Sequence, residues 1–407
     1  MTSTASSPSS SPTAATLWLN HPVLRPSKVE RNNASSSSSS SSENNNNNKS
    51  PTKRVGNNNN KNGLQNILVV LHGVKIKSKR GKKELETLRR LREKYSIAEA
   101  TERATKCEGD CREIVRECVL KGEEAPLPDA IFVLGGDGTL REAVQGYVEA
   151  RKEKPLRENE KHVPIVALPC GTGNNFARDL KCFTVEDCFR LACESGEARD
   201  ADAVQIESYV DDDIDDGGAS GDDIKKKKKK KQMTMSINVV TWGMARDAAE
   251  TAEKMRFLGP IRYDLAGFYH ILKNKSNVAS LTAETPSSRL KGFCADEDFL
   301  MLFAQNTRCS GRGFHFTPMA KLDDGLMDVV VAKKCGTLKT VALFDDTKAP
   351  KNGAHVEKDD VFYIQCEKLK IDTGDREELV GVDGEVTLKT PVELELKKGA
   401  WSTFFPR

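Results

Sequence analysis

The residues best suited to chemistry lie in two glycine-rich turns, Gly135–Thr139 and Gly171–Asn174. Each turn follows a short apolar run and precedes a helical pattern, so each is expected at a strand-to-helix junction. Glycine allows backbone amides to approach a phosphate closely, and a helix N-terminus adds amide donors and partial positive charge. Neither turn is the lysine-containing P-loop or the GxGxxG turn of a dinucleotide fold. The pair predicts a phosphate site assembled from two neighbouring turns.

Side chains within and after these turns suggest what the phosphate is used for. Asp137 would repel a phosphate, so it is better placed to take a proton from a hydroxyl or to touch a nucleotide-bound metal. Glu142, about one helical turn later, is suited to nucleotide hydroxyls or amides. In the second turn, the Thr172 hydroxyl and the amides of Gly171 and Gly173 can cradle phosphate oxygens. Together these residues predict an acid beside a phosphate site, and a Gly/Asp turn without a function is the alternative.

The elements that must position these turns alternate between strand and helix. Four short apolar runs are predicted as strands, at Asn66–Leu71, Ser96–Ala100, Ala130–Leu134 and Ile165–Leu168. Helical spacing follows each of them, around Leu85–Leu91 and over Cys111–Leu120, Leu140–Ala150 and Asn174–Leu180. Such alternation predicts a parallel sheet covered by helices, with ligands at the carboxyl ends of its strands. Both glycine turns fall at those ends.

From about residue 199 the pattern changes to strands with few helices. Strands are predicted at Val204–Ile206, Met233–Val240, Leu300–Phe303, Met327–Ala332, Val361–Ile364, Leu369–Ile371 and Val392–Leu396. Only Asp247–Met255 and Tyr263–Leu272 have helical spacing. The predicted fold class is therefore an N-terminal α/β nucleotide-binding domain with a parallel sheet, followed by an antiparallel β-rich domain.

Composition divides the 407 residues into a folded core and two polar segments. Residues 1–65 are rich in Ser and Asn and carry a net charge of +5, which leaves −2 for the rest of a chain whose total is +3. A second segment, 211–231, contains seven Asp and seven Lys. Neither segment can bury enough apolar surface to offset the entropy of ordering, so both are predicted to be disordered. The predicted domains are 66–198 and 199–407.

The same composition excludes several classes of protein. A nearly neutral net charge of +3 argues against a nucleic-acid partner. No apolar run approaches the roughly 18–20 residues of a membrane helix. Eleven cysteines without regular pairing favour reduced thiols and a cytoplasmic location. The Ser/Thr-rich opening allows organelle targeting, but a plain solvated tail is the preferred interpretation because no arginine-rich amphipathic stretch follows.

No metal site is predicted for the protein itself. Cys107 and Cys111 are four residues apart on a helical pattern, but no second Cys or His pair completes a tetrad. Asp323, Asp324 and Asp328 have the composition of a Mg²⁺ site, although acids beside a glycine more often form a solvated turn.

Taken together, GGDGT at 135–139 and LPCGTGNNFAR at 168–178 resemble the diacylglycerol kinase catalytic domain superfamily, which includes diacylglycerol, sphingosine and ceramide kinases. The resemblance extends over residues 66–405. Segments similar to the sphingosine kinase branch in particular are Trp242–Gly243, Glu253–Gly259, Arg262–Tyr263, Asp298–Phe299, Pro318–Asp328 and Val382–Glu385. The resemblance implies a β-rich lipid-binding domain whose last strand returns to the first domain.

The resemblance also implies roles for individual residues. Asp137 matches the acid that deprotonates the lipid hydroxyl, and Glu385 matches the base favoured in bacterial diacylglycerol kinases. Gly135 and Asp247 are expected at the lipid substrate. Expected ATP contacts are Thr101, Glu102, Arg103, Gly136, Gly138, Thr139, Glu142, Gly171, Thr172, Gly173, Asn174, Arg256, Arg262, Asp383 and Gly384.

Two departures from the family pattern affect these expectations. Residues 72–78 (HGVKIKS) stand where the family has an NP-containing, glycine-rich nucleotide loop. The acid that binds the amine or hydroxyl of a sphingoid base falls on Ala249, with Asp247 two residues upstream. Asp247 is therefore the expected substitute for that acid.

The expected activity is that of a lipid kinase that uses ATP with nucleotide-bound Mg²⁺ and contacts the membrane peripherally. A sphingoid base is the first expected substrate, with diacylglycerol second and ceramide also open. NAD kinase is an alternative that LPCGTGNNFAR and the DGE segment 383–385 argue against. A catalytically degenerate protein that binds lipid or nucleotide is the non-enzyme alternative. The sequence leaves the oligomeric state open.

Overall fold

The computed structural model describes residues 60–121, 126–211, 229–285, 293–308, 310–311, 313–384 and 386–407. Residues 1–59, which make up nearly all of the predicted disordered tail, lie outside the described residues. So do residues 212–228 of the predicted insert and the candidate base Glu385. The side chain of Arg256 is likewise not described.

The first sheet is fully parallel, with strand order β2-β1-β3-β4. Its strands are β1 (Asn66–Leu71), β2 (Glu99–Ala104), β3 (Ala130–Gly135) and β4 (Ile165–Pro169). The helices of this half are α1 (Lys79–Lys94), α2 (Asp110–Leu120), α3 (Asp137–Glu153), α4 (Asn175–Asp179) and α5 (Val185–Arg190). This arrangement confirms the predicted N-terminal α/β half with a parallel sheet.

Among the four strands of the first sheet, the polar edge strand β2 differs most from its prediction. The structure begins this strand at Glu99, whereas the sequence predicts it from Ser96. Ser96 has a φ of 53° and lies in the turn that follows α1, so the chain becomes extended only afterwards. The side chains of β2 are exposed or half-buried, because this strand lies at the edge of the sheet.

Within the described residues, the second sheet has eleven strands with antiparallel neighbours. They are β5 (Gly196–Asp211), β6 (Lys229–Ser236), β7 (Val239–Gly243), β8 (Asn277–Glu284), β9 (Phe293–Gln305), β10 (Met327–Lys333), β11 (Val361–Cys366), β12 (Lys368–Asp372), β13 (Leu379–Val382), β14 (Val386–Lys389) and β15 (Val392–Pro406). Its helices are α6 (Met244–Lys254), α7 (Arg262–Lys273) and α8 (Thr337–Asp346). The predicted antiparallel β-rich half is confirmed, while β8, β13, β14, α5 and α8 were not predicted.

The prediction of one continuous strand at Met233–Val240 is wrong. The structure divides this segment at Ile237 and Asn238. On one side β6 pairs with β5, and on the other β7 pairs with β9 and β13. The two strands therefore have different neighbours, and the amides at the break are free to bind a side chain.

The last strand, β15, reaches from the second sheet to the first domain. Its first part pairs with β12 and β5, and after a register shift Trp401–Pro406 pairs with the start of β5. The Thr403 hydroxyl donates to the carbonyl oxygen of Ile165 in β4 at 2.8 Å. The Trp401 ring lies 5.2 Å from that of Phe176. These contacts hold the two halves together behind the glycine turns.

The predicted polar segments are shorter than their stated boundaries where the structure describes them. Leu64 is buried, and the Asn62 amide group donates to the carbonyl oxygens of Ala192 and Gly196. The boundary at residue 65 is therefore corrected towards residue 60, because these side chains pack on the first domain. At the insert, Asp211 pairs with Lys229, so both ends belong to the strands β5 and β6.

Nine cysteines among the described residues are free thiols. In the part of the chain that the structure describes, no helix is both long enough and apolar enough to cross a bilayer.

Candidate active site

The two glycine turns meet at the carboxyl ends of β3 and β4. The Cys170 amide donates to the carbonyl oxygen of Gly135 at 2.7 Å, which joins the turns at their base. A Cβ atom at Gly171 would lie 2.9 Å from the Cα atom of Gly136. Since a contact this short with backbone is not tolerated, glycine at 171 is required for the turns to touch.

Asp137 links the two turns. Its carboxylate accepts the amide of Asn175 at 3.0 Å and that of Phe176 at 3.2 Å, the first two residues of α4. A Cβ atom at Gly173 would lie 3.1 Å from Asp137 Oδ2, so the second turn passes close to this carboxylate. Burial raises the pKa of Asp137, although the amide hydrogen bonds oppose this effect. The carboxylate thus orients the second turn and lies between both.

The second turn is braced through its carbonyl groups. Arg80 donates to the carbonyl oxygen of Gly171 at 3.2 Å, and Arg178 donates to that of Gly173 at 2.9 Å. Asn174, at φ 53°, exchanges hydrogen bonds with both backbone groups of Gly171. Thr172 is exposed at the tip. Asn174 therefore shapes the turn, and Thr172 presents its hydroxyl to solvent.

A cleft of about 720 Å³ opens between the two halves of the molecule. The first half contributes His72, Val74, Thr105, Lys106, Cys107, Glu108, Thr139 and Glu142. The second half contributes Thr241, Arg246, Ala249, Glu250, Glu253, Lys254, Gly381, Gly384 and Thr387. The cleft thus brings predicted ATP contacts of α3 to the same space as the tip of the β13–β14 hairpin.

Glu142 reaches the cleft from the second turn of α3. Burial raises the pKa of its carboxyl group, and the backbone amides of Gly109 and Cys111 oppose that effect. Since Gly109 is the N-cap of α2, Glu142 lies near the N-terminus of that helix. The carboxylate is therefore held beside the segment 105–108 of the cleft wall.

Three predicted ATP contacts lie within β2, and two of them form ion pairs with neighbouring helices. Thr101 is exposed in the middle of the strand. Glu102 forms an ion pair with Arg89 at 2.8 Å, and Arg103 forms one with Glu117 at 3.2 Å. The residues that line the cleft are instead Thr105 to Glu108, which follow the carboxyl end of β2. Nucleotide contact by residues 101–103 stays a prediction.

Asp383 holds the tip of the β13–β14 hairpin. Its carboxylate accepts four hydrogen bonds, from the Ser236 hydroxyl at 2.8 Å and the amides of Ile237, Asn238 and Val239 at 3.0, 3.1 and 2.8 Å. Burial raises its pKa, while these donors and the charge of Arg141 oppose the shift. The next residue, Gly384, lines the cleft. Direct ATP contact by either residue stays a prediction.

Of the charged residues predicted in α6 and α7, Arg262 is buried and paired. It donates to Glu253 at 3.0 Å and to the Tyr263 hydroxyl at 2.7 Å. Asp247 forms an ion pair with Arg246 at 3.3 Å. Their predicted roles toward phosphate and lipid remain untested.

Ala249 and Glu250 line the cleft, whereas Asp247 is not among the described residues that do. Glu250 forms an ion pair with Lys254 at 2.8 Å, and this partner together with Arg246 lowers its pKa. A carboxylate is thus present one residue after the alanine. Sequence reasoning missed Glu250 because it considered only the position two residues upstream.

The aspartates considered for Mg²⁺ are separated by their partners. Asp323 pairs with Arg199 at 3.2 Å. Asp328 is buried in β10 and accepts hydrogen bonds from Tyr363 and Gln365, and burial raises its pKa to about 7. Among the residues described, no group of three or more His, Cys, Asp or Glu side chains is placed to hold a metal ion.

Comparison with known families agrees with this arrangement. Residues 67–206 match the diacylglycerol kinase catalytic domain, and residues 238–404 match the YegS C-terminal NAD kinase beta sandwich-like domain. The chain belongs to the diacylglycerol kinase superfamily. The first match contains the strands of the first sheet, both glycine turns and the start of β5, and the second match contains the second sheet from β7 onward.

Individual relatives of this superfamily member are distant. Sphingosine kinase 1 of Arabidopsis thaliana is 23% identical over 327 residues, 69% of this chain and 60% of the relative. A probable YegS-like lipid kinase of Pseudomonas aeruginosa is 26% identical over 266 residues, 65% of this chain and 71% of the relative. Diacylglycerol kinase of Bacillus subtilis is 22% identical over 291 residues, 70% and 79% respectively. The chain spans about 60% of the plant relative's length.

Solved structures show the same fold. A crystal structure of a putative diacylglycerol kinase from Bacillus anthracis has a TM-score of 0.57 at 19% identity, covering 84% of this chain and 98% of that one. A second diacylglycerol kinase structure from this organism has a TM-score of 0.54 at 17% identity. At these identities, the likeness describes the fold alone.

Proposed function

We propose that the protein is a lipid kinase that transfers the γ-phosphoryl group of ATP to a primary hydroxyl of a sphingoid base, with diacylglycerol as the second candidate. The observation that carries the proposal is the position of Asp137, whose carboxylate lies between two glycine turns in contact at the strand ends. A proton acceptor beside a phosphate cradle is the arrangement that phosphoryl transfer to a hydroxyl requires.

These contacts assign a separate role to each part of the site. The exposed Thr172 hydroxyl and the N-terminus of the 17-residue helix α3 face the phosphates of MgATP. Asp137 accepts the proton of the lipid hydroxyl as the hydroxyl oxygen attacks the γ-phosphorus and ADP leaves. Glu385 is the alternative base. A nucleotide-bound Mg²⁺ would neutralise charge on the phosphates.

Two observations support a sphingoid base ahead of diacylglycerol. Sphingosine kinases of Arabidopsis are among the relatives, at 23% and 24% identity. The cleft also contains Glu250 beside Ala249, so a carboxylate is available near the position where the family binds an amine. Diacylglycerol lacks an amine and would not use such an acid.

A substrate panel tests the function. The full chain with MgATP is expected to phosphorylate sphingosine in mixed micelles faster than diacylglycerol or ceramide, measured as transfer of labelled phosphate. Faster transfer to diacylglycerol would revise the substrate, and transfer to NAD alone would replace the lipid kinase with an NAD kinase. Nucleotide binding without transfer to any acceptor would favour the non-catalytic alternative.

Peripheral membrane contact is proposed for one face of α7. Leu265, Phe268, Tyr269 and Leu272 expose between 45% and 59% of their surface on this helix. The helix packs on α6, where His270 of α7 and Thr251 of α6 are hydrogen-bonded at 2.8 Å, and α6 forms part of the cleft wall. Docking through this face would bring the cleft close to the bilayer that contains the substrate.

The double substitution Phe268→Glu/Leu272→Glu is expected to reduce sedimentation with phosphatidylcholine vesicles at least tenfold. Each apolar side chain contributes about 1.5–3 kcal/mol when fully buried, and a tenfold change needs only about 1.4 kcal/mol. Activity on a short-chain, monomeric substrate should change less than twofold. Tyr209→Glu, an exposed aromatic on β5, is the control. Equal vesicle binding by the double variant and the wild type would contradict the proposed face.

A cytoplasmic location stays a prediction, as does the peripheral nature of the membrane contact.

A further inference from the structure

The segment 72–78, which replaces the expected nucleotide loop, places a lysine at the glycine turns. It forms a short 3₁₀ turn, Lys75–Lys77, between the end of β1 and α1. A Cβ atom at Gly136 would lie 2.8 Å from Lys75 Nζ and 3.5 Å from the Cα atom of Gly171. The ammonium group of Lys75 therefore lies directly over the junction of the two turns.

The backbone of this segment is closely constrained. A Cβ atom at Gly73 would lie 1.9 Å from the carbonyl oxygen of Thr105, and one at Gly81 would lie 2.0 Å from that of Lys75. Gly73 therefore packs against the end of β2, and Gly81 of α1 packs against the turn itself. The position of Lys75 is thus set by tight backbone packing on both sides.

The surroundings of the Lys75 ammonium favour an anion. Within the described ranges, no carboxylate forms an ion pair with Lys75. Burial and then the positive charge of Lys75 lower the pKa of His72. Burial raises the pKa of the Cys170 thiol, and the charges of Arg80 and Lys75 oppose that shift. The amino-terminal end of α3 adds partial positive charge at the same point.

We infer that Lys75 binds the β- and γ-phosphate oxygens of the nucleotide and takes over the role of the missing loop. The inference rests on the proposed function, because it assumes a nucleoside triphosphate at the glycine turns. A lysine acts there as a point charge that balances the transferring phosphoryl group. This residue stabilises charge during transfer without exchanging a proton.

Nucleotide binding to the full chain tests the inference separately from lipid phosphorylation. Calorimetry with MgATP, MgADP and AMP is expected to show about ten- to a hundredfold weaker MgATP binding by Lys75→Met, since hydrogen bonds to charged groups have this magnitude. AMP binding should change less than twofold, and Lys75→Arg should recover part of the loss. Lys77→Met is the matched control, because Lys77 belongs to the same turn and is exposed.

The outcomes separate the two proposals. If Lys75→Met bound MgATP as tightly as the wild type and still phosphorylated lipid, the proposed role of Lys75 would be overturned and the proposed kinase activity would not be affected. An equal loss for MgATP and AMP would also overturn it, because a general disturbance of the site would not depend on phosphate number. No MgATP binding by the wild type would overturn the kinase and the role of Lys75 together. Thermal unfolding of each variant shows whether it is folded.

Discussion

Asp137→Asn is expected to lower kcat for lipid phosphorylation by about 10²- to 10⁴-fold, the range typical of a lost general base. The amide oxygen of asparagine can still accept one of the two α4 amides, so the turn should keep its shape. One weakened hydrogen bond costs roughly 1–2 kcal/mol. The substitution also removes a buried carboxylate, whose raised pKa shows that burial disfavours its charge. The net change in stability should therefore be small.

The pH dependence gives an independent measure of the same group. A base acts only when deprotonated, so kcat/KM of the wild type should fall as pH decreases through the pKa of Asp137. Because that pKa is raised, the acid limb of the kcat/KM profile should lie at a pH above the usual pKa range of an aspartate. For stability the sign is opposite: the folded state holds the proton more tightly than the unfolded chain. This carboxyl therefore costs stability as pH rises between the unfolded and the folded pKa.

Glu385→Gln is the comparison that distinguishes the two candidate bases. If Asp137→Asn kept substantial turnover and its acid limb, while Glu385→Gln lost both, the base would be Glu385. Asp137 would then be a positioning residue that holds α4 through the amides of Asn175 and Phe176. Circular dichroism and thermal unfolding of both variants would show that the fold is intact.

The parts of this molecule that local sequence determines were predicted well. The strands β1 and β3 are buried apolar runs, and their predicted bounds agree with the structure to within one residue. Both glycine turns follow such strands, so topology alone brings them together at one end of the parallel sheet. This is why the candidate phosphate site could be located without coordinates.

The residues that sequence reasoning missed depend on contacts between distant segments. Lys75 belongs to a segment without a familiar motif, and only the fold places its ammonium over Gly136. The break at Ile237 and Asn238 is equally invisible in an apolar pattern, since both sides continue as strands. The amides at that break donate to Asp383, which lies almost 150 residues further along the chain.

Asp383→Asn should destabilise the protein by about 2–4 kcal/mol and also reduce activity at least tenfold. The carboxylate accepts three hydrogen bonds on Oδ1 and the Ile237 amide on Oδ2. Asparagine would place an NH₂ group against at least one of these donors, and each buried donor left unsatisfied costs about 1–3 kcal/mol. Ser236→Ala, which removes a single donor, is the matched control and should cost about 1 kcal/mol. Thermal unfolding and steady-state kinetics measure both effects.

The loss of activity follows from the position of the hydrogen bonds that Asp383 accepts. Asp383 ties the hairpin tip to the break between β6 and β7, and Gly384 beyond it lines the cleft. A displacement of about 1 Å at a reacting group is enough to cost about a hundredfold in rate. If Asp383→Asn lowered the unfolding temperature but left kcat unchanged, the hairpin would serve stability alone. If kcat fell in both variants, and fell less in Ser236→Ala in proportion to its smaller loss of stability, the hydrogen bonds to Asp383 would be what positions the hairpin tip for catalysis.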